Sequence, residues 1–246
     1  MNIANITGYK FTPIDDELLL RETILKYSTD LNLKGTVLIS SKGLNFSVSG
    51  TKKNIDNFIV FIHSDKRFSD VDIKITYNKY QPFRKMLVRI KKEIISMGVE
   101  EINPYQFTGQ KISPKELNNK LDNNEEIVLL DTRNEYEVRL GTFKNALDLD
   151  LDSFRDFPEE IEKLREELNG KEVVMFCTGG IRCEKASALM LENGFENIKQ
   201  IEGGVINYFK ETGGKHWNGD CFVFDDRVAL NKNLVETDYV LCFRCR

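Results

Sequence analysis

Two histidines, His63 and His216, are all that 246 residues offer for imidazole chemistry. A two-histidine iron centre would need both to converge from well-separated parts of the chain. Five cysteines is an odd number, which suits a reducing compartment and thiols with chemical or metal duties better than a disulfide framework. No apolar run approaches the roughly 20 residues a bilayer crossing requires; the uninterrupted stretches are short, as in Ile127-Val128-Leu129-Leu130. The N-terminus, Met1 to Ile6, lacks a basic stretch followed by an apolar one and does not read as a signal peptide. A cytoplasmic protein with no membrane contact is expected. No glycine fingerprint for a dinucleotide opens a helix, so no cofactor is evident from the residues themselves, and no protein partner is either. The net charge of −4 gives no global attraction to nucleic acid, so any such role must rest on a local basic patch.

With 30% charged and 41% hydrophobic residues, what is there is a globular composition, long enough for two modest domains. Residues 1–97 alternate strand and helix signals in the order β-α-β-β-α-β, which predicts a ferredoxin-like α+β domain. A strand near Ala4–Lys10 precedes a helix over Asp15–Leu31, and strands Gly35–Ser40 and Leu44–Ser49 flank the turn Ser41-Lys42-Gly43. Thr51 reads as the N-cap of a second helix with Ile55, Phe58, Ile59 and Ile62 on one face. Val71–Tyr77 and Lys85–Lys91 are the remaining strands. Residues 98–112 read as a linker, punctuated by Pro104 and Gly109. Residues 113–213 alternate apolar strands with helices, including one long charged helix from Ser153 to Leu168, and predict an α/β domain around a largely parallel sheet. Residues 214–246 form a C-terminal extension.

The chemistry concentrates where the buried strand Glu172–Phe176 ends. Cys177 stands there, followed by Thr178, Gly179, Gly180, Ile181 and Arg182, with Cys183 opening the next helix. A helix N-terminus and the loop's own N–H groups favour a thiolate, the glycines let the backbone curl around the sulfur, and Arg182 adds a fixed charge. Together these should lower the pKa of Cys177 and stabilise an anionic substrate or persulfide. Asp131 and Arg133, at the end of another strand, read first as a pair that holds a loop. Cys183 is either a resolving thiol for Cys177 or a packed residue.

The run Cys-Thr-Gly-Gly-Ile-Arg resembles the active-site loop of rhodanese-type sulfurtransferases, with Asp131-Thr132-Arg133 and Glu202-Gly203-Gly204 in the places of that domain's flanking motifs. Cysteine phosphatases have a similar loop with five residues, not four, between Cys and Arg, and the resemblance to rhodaneses implies that the smaller cradle suits sulfane sulfur on Cys177 rather than a phosphoester. The likeness extends further. Cys177 to Ser187, Asp131 to Glu137, Gly219 to Ala229 and the Gly43-Leu44-Asn45 hairpin together resemble the bacterial tRNA uridine hydroxylases that contain a rhodanese domain, the TrhO family, although Phe46-Ser47 departs from the small residues expected there. That resemblance implies oxygen-dependent conversion of a wobble uridine of tRNA to 5-hydroxyuridine, with molecular oxygen as co-substrate and tRNA as partner. The alternative is a plain sulfurtransferase acting through a Cys177 persulfide on a small sulfur donor.

Two further features bear on partners. Lys79, Arg84, Lys85, Arg89, Lys91 and Lys92 lie in a stretch without a carboxylate, and strand alternation puts Lys85, Arg89 and Lys91 on one face, where they can meet phosphates. Cys242 and Cys245 have the spacing of half a zinc site, with Cys221 and His216 as candidates for the other half. The resemblance implies further cysteines beyond Cys245, which this sequence lacks.

Overall fold

The computed structural model describes residues 3–242, and the chain divides between Ile95 and Ser96 into two units. In the first, β1 (Ile3–Phe11), α1 (Glu17–Asp30), β2 (Lys34–Ser40), β3 (Gly43–Thr51), α2 (Lys52–Ser64), β4 (Lys74–Asn78) and β5 (Met86–Ile90) follow in that order. The sheet runs β4-β1-β3-β2-β5. Its pairs are antiparallel except β2 with β5. The first four strands and two helices are the expected ferredoxin-like arrangement, and β5 adds a parallel edge strand. Thr51 caps α2 as anticipated, its hydroxyl accepting from Asn54 N–H at 3.3 Å. Ile55, Phe58 and Ile62 of that helix close the core with Val37, Ile39, Phe46 and Val48. Asp16 makes no capping bond to α1; its carboxylate pairs with Arg67 instead.

The second unit contains β6 (Gln110–Ile112), α3 (Pro114–Asp122), β7 (Val128–Asp131), α4 (Glu135–Val138), β8 (Gly141–Phe143), β9 (Leu147–Asp148), α5 (Phe157–Lys163), α6 (Arg165–Leu168), β10 (Val173–Phe176), α7 (Ile181–Glu192), β11 (Ile198–Ile201) and α8 (Gly204–Thr212). Short strands β12 (Trp217–Gly219), β13 (Cys221–Phe222) and β14 (Ala229–Leu230) follow. The main sheet runs β6-β11-β10-β7-β9, every pair parallel. All of β10 is buried: Val174 and Phe176 pack with residues of α3 and α8, while alternation turns Val173 and Met175 to the opposite face.

Three expectations change. The segment read as a linker ends in a strand, β6, which three residues are too few to announce by periodicity. The long helix over 153–168 is a 3-10 turn, Phe154–Asp156, followed by α5 and α6; Pro158 in the first turn of α5, without an N–H, fixes a new helix start. The C-terminal extension is built into the fold, since β12 pairs with β8 and Trp217 lies among Phe143, Phe176 and Phe209 in the core. Among the described residues no helix is long and apolar enough to cross a membrane.

Candidate active site

Cys177 leaves the end of β10 with 1% of its surface exposed. The chain turns through Thr178, Gly179 and Gly180 and enters α7 at Ile181, two residues earlier than the sequence indicated. Gly180 carries the turn: its φ of 99° is left-handed, and its N–H donates to Cys177 Sγ at 3.1 Å. Gly179 has a different role, since a Cβ there would meet nothing within 4 Å, so this position borders open space.

A second helix fastens the same loop. The N–H groups of Val205 and Ile206, in the first turn of α8, donate to the carbonyls of Cys177 and Thr178 at 3.0 and 3.1 Å. Gly204, with φ of 68°, makes this approach feasible, because a Cβ would stand 2.5 Å from the Cys177 carbonyl oxygen. The Gly203-Gly204 pair is therefore a contact surface for the cysteine loop.

Burial alone would push the Cys177 thiol up. A hydrogen bond from the Cys183 thiol, the Arg182 guanidinium and the N–H groups of Cys183 and Arg182 outweigh it and hold Cys177 well below the ordinary thiol range. The same burial, and the neighbouring Cys177 sulfur, push Cys183 well above that range. Cys183 also lies 3.6 Å from the Thr132 hydroxyl. Its side chain is buried beside Cys177.

Arg182 is 4% exposed. Its guanidinium grips both carboxylate oxygens of Glu137, with Nη2 at 2.7 Å from Oε1. Burial would lower the pKa of Arg182, but this carboxylate holds it above its ordinary value, so Arg182 is a permanent cation. Glu137 is a neighbour of the cysteine loop that reading by motif did not single out. The legible signal was the Asn134-to-Glu137 spacing of a capping box, and Glu137 Oε2 indeed accepts from Asn134 N–H at 3.2 Å. Cys221, too, belongs here: its sulfur lies 3.9 Å from the Thr178 hydroxyl, and burial pushes its thiol up to about 12.

Asp131 and Arg133 pair with each other inside the fold. Both are fully buried, joined at 2.9 and 2.6 Å. Arg133 Nη2 also donates to the Gly141 carbonyl, while Thr142 donates to Asp131. The pair ties the end of β7 to β8.

The zinc ligands considered from sequence do not assemble from the described part. His216 pairs with Asp122 at 2.6 Å, Cys221 is buried against Thr178, Cys242 is exposed, and Cys245 lies outside the described residues. His63 contacts the Val71 carbonyl. Lys79, Arg84, Lys85, Arg89, Lys91 and Lys92 are all exposed. Lys79 follows β4, at the sheet edge opposite β5, so only the residues from Arg84 onward form one strip. Arg89 lies within β5, and Lys85 and Lys91 flank it.

Residues 3–94 match the family described as UPF0176 acylphosphatase like domain, and residues 113–211 match the rhodanese-like domain. A tRNA uridine(34) hydroxylase of Cupriavidus necator is 45% identical in an alignment covering 100% of this chain and 89% of that protein. One from Cupriavidus metallidurans is 44% identical with the same coverage. The chain belongs to the tRNA uridine(34) hydroxylase family. Among solved structures, a rhodanese-like domain from Anabaena is 17% identical, with a TM-score of 0.38 over 46% of this chain and 80% of that one. In this family's terms, the loop of Cys177 is the rhodanese element, and the β-rich first unit is the acylphosphatase-like one.

Proposed function

We propose that this chain hydroxylates uridine 34 of tRNA, with molecular oxygen as co-substrate, and that the Cys177 thiolate is the reactive group. The observation that supports this is a buried thiol held ionised by Arg182 and loop N–H groups, in a chain matched over its full length by enzymes named for that reaction. The chain's own contribution is positioning: Gly180 N–H points at the sulfur, α8 fixes the carbonyls beneath it, and Glu137 fixes Arg182. The exposed basic strip along β5 would meet the tRNA phosphates.

Nucleoside analysis of tRNA from cells lacking the gene, complemented with wild type or with Cys177→Ala, tests the proposal. Loss of 5-hydroxyuridine-type nucleosides in both the deletion and the variant is expected. Sulfur transfer is the second reading, favoured by the N–H directed at the sulfur. There the thiolate would take the sulfane sulfur of a small donor such as thiosulfate, forming a persulfide and releasing sulfite. It prevails if uridine modification is untouched while the purified protein consumes thiosulfate.

A further inference from the structure

Two exposed aromatic rings lie near the cysteine loop. Tyr136, on α4, is 46% exposed, and Phe224, just past β13, is 58% exposed. They are joined through Phe222, which is buried and meets Tyr136 edge-on at 5.2 Å and Phe224 edge-on at 5.0 Å. The Phe222 carbonyl lies 3.2 Å from the Thr178 hydroxyl, so this aromatic row is attached to the residue next to Cys177. Phe224 also lies against the Arg182 guanidinium, 5.7 Å from ring centre to Cζ. The turn that presents Phe224 is set by Asp225, whose carboxylate accepts from Arg227 Nε at 2.7 Å.

We propose that Tyr136 and Phe224 are a stacking platform for unpaired bases of the tRNA loop that carries the substrate uridine, an assignment that rests on the tRNA reading above. Single exposed aromatics are ordinary on protein surfaces. Phe224 lies against the loop's arginine, Tyr136 joins it through Phe222, whose carbonyl accepts from the Thr178 hydroxyl, and the same loop has open space at Gly179. Electrostatics then selects the ligand group. The charge of Arg182 is neutralised by Glu137 and covered by Phe224, so the mouth offers a phosphate no free cation from that source. Planar, uncharged π-faces remain, and these suit a splayed-out base, whose recognition in single-stranded RNA rests on stacking against aromatic side chains. The phosphates are left to the basic strip of the first unit.

The test compares full-length wild type, Phe224→Ala, Phe224→Trp and Tyr136→Ala in steady-state hydroxylation of an unmodified tRNA. Loss of one stacking face should raise KM roughly five- to a hundredfold, more than it lowers kcat. Phe224→Trp should retain near-wild-type KM. Alkylation of Cys177 by iodoacetamide, a small probe that needs no platform, should keep its rate in all three variants and so exclude a collapsed loop. A 2-aminopurine placed beside uridine 34 should be quenched by the wild type and not by Phe224→Ala. An unchanged KM in Phe224→Ala and Tyr136→Ala, or failure of Phe224→Trp alongside Phe224→Ala with Cys177 reactivity intact, overturns the platform. A Cys177→Ser enzyme that still hydroxylates would instead remove the catalytic assignment, and the KM comparison, made in the wild-type background, is independent of it.

Discussion

Arg182 and Glu137 form a two-pronged ion pair in which the side chains are 5% and 0% exposed, joining α7 to α4 beside the Cys177 sulfur. Neither charge has water to fall back on. Glu137→Gln should therefore cost up to about 3–5 kcal/mol of stability, because it breaks a buried ion pair and leaves the Cys177 thiolate as the counter-charge beside the guanidinium. Denaturant unfolding measures this. In the fraction that folds, Cys177 should titrate at still lower pH, since the guanidinium is no longer shared with a carboxylate.

Cys177 should be the first thiol alkylated, at a rate that stays near its plateau well below the ordinary thiol pKa of roughly 8.5. Cys183→Ala removes a hydrogen-bond donor to the sulfur and should move the rate profile to higher pH. Cys183→Ser, which keeps a donor, should move it less. Preferential labelling of Cys183 in the wild type at mildly acidic pH would show that the reactive sulfur has been misassigned.

The same depressed pKa links ionisation to folding. Below the folded pKa the thiol is protonated in both states and contributes nothing. As pH rises through that value the folded state alone loses the proton, so stability grows until the unfolded thiol also ionises near 8.5. Cys177→Ser should flatten this part of the stability profile, measured by urea unfolding at several pH values.

The glycines of the site should respond in opposite ways. Gly204→Ala places a Cβ 2.5 Å from the Cys177 carbonyl at a left-handed φ, and should destabilise the second unit and displace the loop. Gly179→Ala meets nothing within 4 Å and should fold with stability changed by about 1 kcal/mol or less. Thermal melts of the two variants separate the cases.

On the first unit, charge reversal at Lys85, Arg89 and Lys91 should weaken tRNA binding and reduce its salt dependence, as expected when phosphate contacts are lost. Affinity unchanged at low salt would exclude this strip from docking.

Much of this was legible in the sequence where signals are local. Thr51 announced its helix, the run from Val173 to Arg182 announced strand, loop and helix, and the alternation of elements announced both sheets. What stayed hidden depends on distant partners. Glu137 looks like a surface helix residue until α4 is brought against α7, and Trp217 looks like part of a tail until β12 pairs with β8. Strands of two or three residues, such as β6 and β13, have no period to detect. Gly204 reads as a helix start, and its closeness to a carbonyl 27 positions earlier is visible only in three dimensions.

The sulfur of Cys177 combines two properties that usually exclude each other: its thiol is held more acidic than those of Cys183 and Cys221, and it is almost entirely shielded from solvent. Because α8 pins the loop from below, the shield does not open merely by the sulfur swinging outward. Reagents are then sorted by bulk before they are sorted by reactivity. Small oxidants and slender electrophiles should therefore react with it faster than a tripeptide disulfide or another protein's disulfide, so the ionised sulfur would be spared the thiol–disulfide exchange that consumes an open thiolate.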